Sequence, residues 1–552
     1  LTISATLDNS LQLIGSQALQ ATLQEFDISR GIYRGPIMKI QPQKLENFYR
    51  KNLLSTFLRD ARISVPVESW QLAVVLDIKD LHAEILILTK NLKLQKEIIK
   101  VEDNRWARRK IFEGQVTSFP SLARDIWAIG DIIYVEKQSK NNSENFSWRM
   151  RQVPEVQGAF VVMDPTTGEV LALQGGFSYE LSSFNRATQA YRQTGSLFKP
   201  FVYFTALQKG YLPNSLILDA PIDVSVGEKF WQPENASGGW LGPAPLRRGI
   251  ENSRNLMTVR LAQDIGMANI EKFTNSLGLN KKIPDMLSYS LGAGESTLID
   301  MVSAYSVFAN GGFLVKPTFF TEIQDRSGKS IFKHEILKCY QCKVVDLPTS
   351  EFPTIYRANE RLLDPIKVYQ LNSMLRGVVA RGTAAKTVGK LGWDIAGKTG
   401  TTNKSKDAWF IGFTPKLIAG CYIGFDFPKS LGSNISGGSL CGSAFAKFIK
   451  KVLRKNEKVI WDQPDQSILV AVDRYTGKKI KETTMDKDIV LELFKIGEEP
   501  YSGPVPSHSN KRIILGEDLF LLPSSKDKRK ENQSYIEFKE PNHNNIKSGD
   551  LY

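Results

Sequence analysis

An α+β fold, an antiparallel sheet flanked by helices with a small β-rich insert ahead of it, is what the apolar patterning of this 552-residue chain predicts. Three observations carry that expectation. Gly158-Ala159-Phe160-Val161-Val162-Met163 runs through Asp164-Pro165-Thr166-Thr167-Gly168 into Glu169-Val170-Leu171-Ala172-Leu173, an apolar strand, a turn and a second apolar strand, which reads as a buried hairpin. Helical periodicity dominates 196–275, 295–310 and 364–382, after which strand-like runs return at 393–397, 408–413 and 417–425. Short β-like runs at 72–76, 83–88, 98–101 and 132–135 precede the hairpin, spaced closely enough for a small barrel or sandwich.

The chain opens with Thr6-Leu7-Asp8 and then Leu11, Leu13, Ile14, Leu19 and Leu23 near helical spacing. Arg34-Gly35-Pro36 is a turn signal, and a helical stretch around 45–57 leads into the β-like region. A polar, asparagine-rich loop is expected at 137–146, and a final packing helix at 444–453. Val472-Asp473-Arg474-Tyr475-Thr476-Gly477 gives one more hairpin signal. The expected partition is 1–44 as an N-terminal part, 45–150 as the β-rich insert and 151–460 as the main domain, followed by 461–505 as a β extension and 506–552 as a tail. Within that tail, the Ser-, Asn- and Lys-rich stretch 524–552 reads as disordered.

Composition narrows the classes. With 42% apolar and 24% charged residues the chain has the make-up of a globular protein with sizeable cores, and its length suggests roughly two to four domains. A net charge of +14 admits an anionic polymer or membrane surface as partner, or simply a lysine-rich composition. No aromatic–basic repeat, zinc spacing or recognition-helix pattern points to nucleic acid. The chain begins at Leu1 and has no signal peptide or long apolar run, so it is expected to be either cytosolic or a segment of a larger protein. Of four cysteines, Cys339-Tyr340-Gln341-Cys342 forms a C-x-x-C without a second pair, expected to be a local disulfide in an oxidising compartment or else two free thiols. Cys421 lies in an apolar run and is expected in the core, whereas Cys441 fits either core or surface. No metal or cofactor signature is present.

Three short motifs occur in fixed order: Ser196-Leu197-Phe198-Lys199, Ser253-Arg254-Asn255 and Lys398-Thr399-Gly400-Thr401. Each is weak alone. Ser525-Lys526-Asp527-Lys528 also fits the first pattern, and Ser139-Lys140-Asn141, Ser143-Glu144-Asn145 and Ser183-Phe184-Asn185 fit the second. Order, spacing and setting select the trio. Pro200 is tolerated only near a helix start, so a helix should begin close to Ser196, with Lys199 one turn on along the same face. A serine hydroxyl needs a base to become a nucleophile, and Lys199 serves if burial and the charge of Lys398 lower its pKa. Ser253 and Asn255 suit a loop at the head of a helix, Ser253 relaying a proton to the leaving amine and Asn255 holding a peptide amide. Along an extended strand Lys398 and Gly400 share one side and Thr399 and Thr401 the other; Gly400 permits close approach of a ligand, and the cluster suits a terminal carboxylate. His82, His334, His508 and His543 lie in unrelated contexts, so a Ser-His-Asp triad is not expected.

On these residues the chain resembles the transpeptidase portion of class A (bifunctional) penicillin-binding proteins. The likeness extends to Arg192-Gln193-Thr194-Gly195-Ser196, Ser290-Leu291-Gly292-Ala293-Gly294-Glu295, Phe308-Ala309-Asn310-Gly311-Gly312, Arg381-Gly382-Thr383, Asp407-Ala408-Trp409-Phe410 and Phe494-Lys495-Ile496-Gly497-Glu498-Glu499-Pro500. The resemblance implies a penicillin-binding/serine β-lactamase-like fold with an OB-like domain at 45–150. It implies peptidoglycan D,D-transpeptidation through an acyl-enzyme at Ser196, with the N–H groups of Ser196 and Thr401 as oxyanion hole and no cofactor. A D,D-carboxypeptidase or β-lactamase uses the same chemistry, and a β-lactam sensor keeps the fold without turnover. The implied partners are stem peptides, β-lactams and other cell-wall synthesis proteins, at the periplasmic side of an inner membrane. A membrane anchor and a glycosyltransferase domain are expected upstream of this segment, and no glycosyltransferase chemistry within it.

Overall fold

The computed structural model of the chain describes residues 1–500 apart from 52, 90, 92, 113–114, 140–145, 227–228, 280–283, 341–353, 358, 360, 455–456 and 481–487. The expected disordered stretch 524–552, most of the expected loop at 137–146 and the decoy at Ser525 therefore lie outside the described residues.

A five-stranded antiparallel sheet organises the main domain. Its strands are Gln157–Met163 (β1), Val170–Gln174 (β2), Ala396–Thr401 (β3), Asp407–Thr414 (β4) and Leu417–Gly424 (β5), in the order β2-β1-β5-β4-β3. The N-terminal hairpin is thus closed onto strands from more than two hundred residues later, with Phe160 opposite Cys421. The strands β1, β2, β4 and β5 read as largely apolar runs because the sheet is covered on both faces. Ala159, Val161, Ile411 and Tyr422 point into one core, and Phe160, Val162, Phe410 and Cys421 into the other.

The first face receives Lys199–Gln208, Asn255–Ile265 and Leu298–Ala309. A Cβ at Gly420 would come within 2.4 Å of Val302, so glycine there lets the helix Leu298–Ala309 rest directly on β5. The second face receives Asn9–Ser29 and Cys441–Val452. Asp8 caps the first of these, its carboxylate accepting from the Leu11 N–H at 2.9 Å.

Trp70–Ile78, His82–Leu88, Leu94–Lys100, Asp131–Ser139 and Phe146–Arg151 form the β-rich domain. Phe146–Arg151 pairs with both Leu94–Lys100 and Asp131–Ser139, which closes five strands into a barrel. Val75, Ile85, Ile99, Trp127, Ile133 and Met150 fill its interior. Its outer face, including Trp70, Leu72 and Tyr134, joins the second core of the main domain, where Trp70 lies 5.8 Å from Phe177. Met38–Lys39 already pairs with Asp131–Ser139, so barrel pairing starts upstream of residue 45.

Two sequence expectations need correction. The stretch 196–275 is not helical throughout: Leu216–Asp219 pairs with Gly242–Pro245 as a short ribbon, because a four-residue strand carries no periodicity strong enough to stand out between helices. The strand expected at 393–397 runs Ala396–Thr401 instead, three residues later than expected at its start and long enough to carry the whole lysine motif. At the C-terminal end, Ser467–Asp473 (β6) pairs with Ile489–Lys495 (β7).

Candidate active site

The nucleophile motif sits on a tight turn. Gly195–Phe198 is a 3₁₀ turn leading into the helix Lys199–Gln208. Gly195 has φ +52°, and a Cβ there would lie 2.6 Å from the Thr401 carbonyl oxygen and 3.4 Å from its nitrogen. The turn therefore rests against the end of β3. Tyr305 holds it from the other side, its hydroxyl donating to the Leu197 carbonyl at 2.5 Å. Among the described residues the Ser196 hydroxyl has no hydrogen-bond partner.

Lys199 and Lys398 are both fully buried, and their amines converge on one hydroxyl. Lys398 Nζ is 2.9 Å from Ser253 Oγ, and Lys199 Nζ is 3.4 Å from the same atom. Lys199 also donates to the Ser253 carbonyl and to Asn255 Oδ1, each at 2.6 Å. Burial pushes the Lys199 amine well below the usual lysine range, helped by the positive charges of Lys398 and Arg254 and opposed by Asp219. Burial alone lowers Lys398 to about 7. Two buried amines with lowered proton affinity, on either side of a serine hydroxyl, give an arrangement that can move protons without histidine.

Ser253 lies between the helices Leu246–Glu251 and Asn255–Ile265, with φ +54°. That left-handed conformation is costly for a non-glycine residue and requires support from its surroundings. The support is ionic and was not visible in the motif. Arg254, between the two motif residues, donates to Asp219 at 2.7 Å, to Ser237 Oγ at 2.7 Å and to the Gly239 carbonyl at 2.5 Å. Asp219 in turn accepts from Asn235 at 2.9 Å and from the Leu241 N–H at 3.0 Å. Asn235 Oδ1 accepts the Asn255 N–H at 2.8 Å, which fixes the start of the second helix.

Behind this loop lies a second buried ion network. Arg247 pairs with Glu251 at 3.0 Å and with Glu492 of β7. Glu251 also pairs with Arg381, and its carbonyl accepts the Thr383 N–H at 3.2 Å. Thr383 Oγ1 meets Thr399 Oγ1 at 2.7 Å, so this network reaches the strand wall. Arg192, just before the nucleophile turn, pairs with Asp407 at 2.6 Å. The only hint of Arg192 and Asp407 in the sequence was their presence in segments flanking the motifs.

On β3 the expected alternation holds in space: Lys398 reaches Ser253, while Thr399 meets Thr383 and Thr401 Oγ1 accepts the Gly437 N–H at 2.9 Å. Gly400 differs from expectation. A Cβ there would meet Thr194 O at 2.7 Å, Leu197 Cγ at 3.0 Å and Trp409 Cβ at 3.1 Å, so its lack of a side chain lets β3 pack against the nucleophile turn. Asn255 likewise has both ends engaged, Oδ1 on Lys199 and Nδ2 on the Glu234 carbonyl at 2.6 Å. A depression of about 290 Å³ lined by Ser237, Arg254, Gly382 and Thr383 opens beside the loop. A larger cavity of about 660 Å³, lined by Thr194, Phe198, Tyr289 and Glu295, borders the back of the turn without Ser196 or either lysine.

The expected disulfide is described at one end only. Cys339 is disulfide-bonded, and Cys342 lies outside the described residues. Cys421 and Cys441 are both buried and free.

A serine on a helix turn, two buried lysines and a glycine-bearing edge strand, joined to a five-stranded barrel, have the fold of a penicillin-binding transpeptidase domain with an OB-like domain. Residues 158–420 match the penicillin binding protein transpeptidase domain and residues 33–156 the penicillin-binding protein OB-like domain. Relatives to which it is similar are named penicillin-binding protein 1A. That of Rickettsia typhi is 37% identical over 96% of this chain and 63% of its own length. That of Pseudomonas aeruginosa is 29% identical over 91% of this chain and 62% of its own. The crystal structure of penicillin-binding protein 1A from Haemophilus influenzae superposes with a TM-score of 0.73 at 28% identity, covering 91% of this chain and 73% of that one. The chain thus spans less than two thirds of the Rickettsia and Pseudomonas relatives. Among the described residues no helix is long and apolar enough to cross a membrane.

Proposed function

We propose that this chain cross-links peptidoglycan stem peptides as a D,D-transpeptidase, through an acyl-enzyme on Ser196. One observation carries the reading: the two buried amines that share the Ser253 hydroxyl at the foot of the nucleophile turn. Lys199 in its neutral form takes the Ser196 proton as the hydroxyl oxygen attacks the carbonyl of the penultimate D-alanine. The backbone N–H groups of Ser196 and Thr401 receive the developing oxyanion. Ser253, supplied by Lys398, passes a proton to the departing D-alanine nitrogen, and the C–N bond breaks. Asn255 holds the donor peptide's amide after exchanging its present partners, while Lys398, Thr399 and Thr401 take the terminal carboxylate and Gly400 keeps the strand close to the turn. An amine of a neighbouring stem peptide then attacks the ester and releases Ser196. A β-lactam offers the same carbonyl and carboxylate but leaves a tethered amine, so its adduct is long-lived.

The relatives' shared name and greater length support placing this segment in the periplasm, anchored through preceding sequence to the inner membrane, with a glycosyltransferase domain and other cell-wall synthesis proteins as neighbours. The decisive test is a labelled penicillin. The wild-type chain should acquire one covalent label and Ser196→Ala none. A label retained on Ser196→Ala would overturn the assignment.

A further inference from the structure

Two buried thiols lie on one face of the main sheet without a role in the proposed chemistry. Cys421, at the middle of β5, and Cys441, the first residue of the helix Cys441–Val452, have their sulfurs 3.0 Å apart, and neither side chain is exposed. A bonded pair stands at about 2.05 Å, so about 1 Å of approach separates this contact from a disulfide. The two positions belong to different elements on one face of the sheet, and both pack in the second core.

What Cys441 anchors makes the pair more than packing. Immediately before it runs the segment 436–440, which lies along β3. The Gly437 N–H donates to Thr401 Oγ1 at 2.9 Å, and a Cβ at Gly437 would come within 2.2 Å of the Gly400 carbonyl oxygen. The Gly442 N–H, one residue beyond Cys441, bonds back to the Gly437 carbonyl at 2.8 Å.

We propose that Cys421 and Cys441 form a disulfide that ties this outer wall of the site to the centre of the sheet. The inference rests on the periplasmic placement above, since such bonds persist in oxidising compartments. A thiolate of one cysteine attacks the disulfide of a dithiol–disulfide exchange carrier, giving a mixed disulfide. The second thiolate then displaces the carrier, which leaves as a dithiol carrying the two electrons and, exchanged through solvent, the two protons given up by the cysteines. Burial suppresses the Cys441 thiolate once the chain has folded. The bond therefore forms during folding, while the sulfurs are accessible, and is protected afterwards.

The test uses the full chain recovered from an oxidising compartment, unfolded in guanidinium with excess maleimide, then digested and weighed. The expected result is no label on Cys421 or Cys441 and a linked peptide pair two hydrogens lighter than the separate peptides. Both thiols labelled while Cys339 stays blocked would overturn the disulfide alone. Label on Cys339 as well would overturn the oxidising compartment with it, while penicillin labelling of Ser196 in the same sample reports separately on the acyl-enzyme. In a second measurement, the Cys421→Ala/Cys441→Ala double variant should exchange its 436–440 amides at least about tenfold faster than the oxidised wild type. Unchanged exchange there would overturn the tethering role.

Discussion

The two walls of the cleft are built by opposite means. The loop that carries Ser253 is held by buried charge: Arg254 on Asp219, and Arg247 between Glu251 and Glu492. The wall that carries Lys398 is held by a strand ladder, Ala396 through Thr401 opposite Phe413 through Ala408, and by glycines that admit close backbone approach. A ladder fixes position through many equivalent bonds and tolerates the loss of one. A buried ion pair is a single point of failure, because removing one partner strands the other in a low-dielectric core. The loop also needs more support, since Ser253 adopts a left-handed conformation that no ladder would maintain.

The contrast can be broken first at Asp219. Asp219→Ala leaves Arg254 buried with only neutral partners, and the expected loss is about 3–5 kcal/mol of stability. A fall in Tm accompanied by slower penicillin labelling checks it; an unchanged Tm would mean that the loop is held by other contacts. On the strand wall, Gly400→Ala forces a methyl against Thr194, Leu197 and Trp409, with an expected cost of about 1–3 kcal/mol. Here the labelling rate should fall proportionately more than Tm, because the displaced partner is the nucleophile turn. Equal sensitivity of the two would remove the distinction between the walls.

Titration gives a subtler probe. Lys398 has a native pKa of about 7 against an ordinary value of 10.5, so between these values the unfolded chain binds more protons than the native one. Stability contributed by this group therefore rises with pH across that window. Lys199, lowered in the same direction, adds to it. Tm measured from pH 7 to pH 9 should rise more steeply in the wild type than in Lys398→Met, and a variant with the same slope would place the titration elsewhere. The smallest effect is expected on the barrel surface, where Lys96 and Glu84 pair at 2.8 Å with the lysine largely exposed. Lys96→Ala should shift neither Tm nor labelling measurably, because exposed pairs contribute little.

These differences also explain what could be read in advance. The gathering of Lys199, Ser253, Asn255 and Lys398 near the Ser196 turn was legible because the motifs that hold them rest on short spacings along a helix turn, a loop or a strand. The buried hairpin at Gln157–Met163 and Val170–Gln174 was legible from its apolar runs and its turn. Asp219 and Glu492 were not, because they meet Arg254 and Arg247 across 35 and 245 residues, and a lone acidic residue carries no local signature of burial. Gly400 was noticed for a plausible reason but packs against the protein's own turn, a contact between elements that no single strand reveals. Cys441, open to either reading, is buried because it begins the helix that covers the sheet.

The tie between Arg247 and Glu492 has a consequence for how the chain comes into being. During synthesis from the N-terminus, Ser196, Lys199 and Ser253 emerge long before the glutamate that completes the packing behind them. Until β7 has cleared the ribosome or export channel, Arg247 has only Glu251 and the Ser373 backbone and hydroxyl to meet its charge. A nascent chain ending before Ile489–Lys495 would already hold Ser196, Lys199, Ser253, Asn255 and Lys398 and still lack the glutamate that completes the packing of Arg247 behind the Ser253 loop.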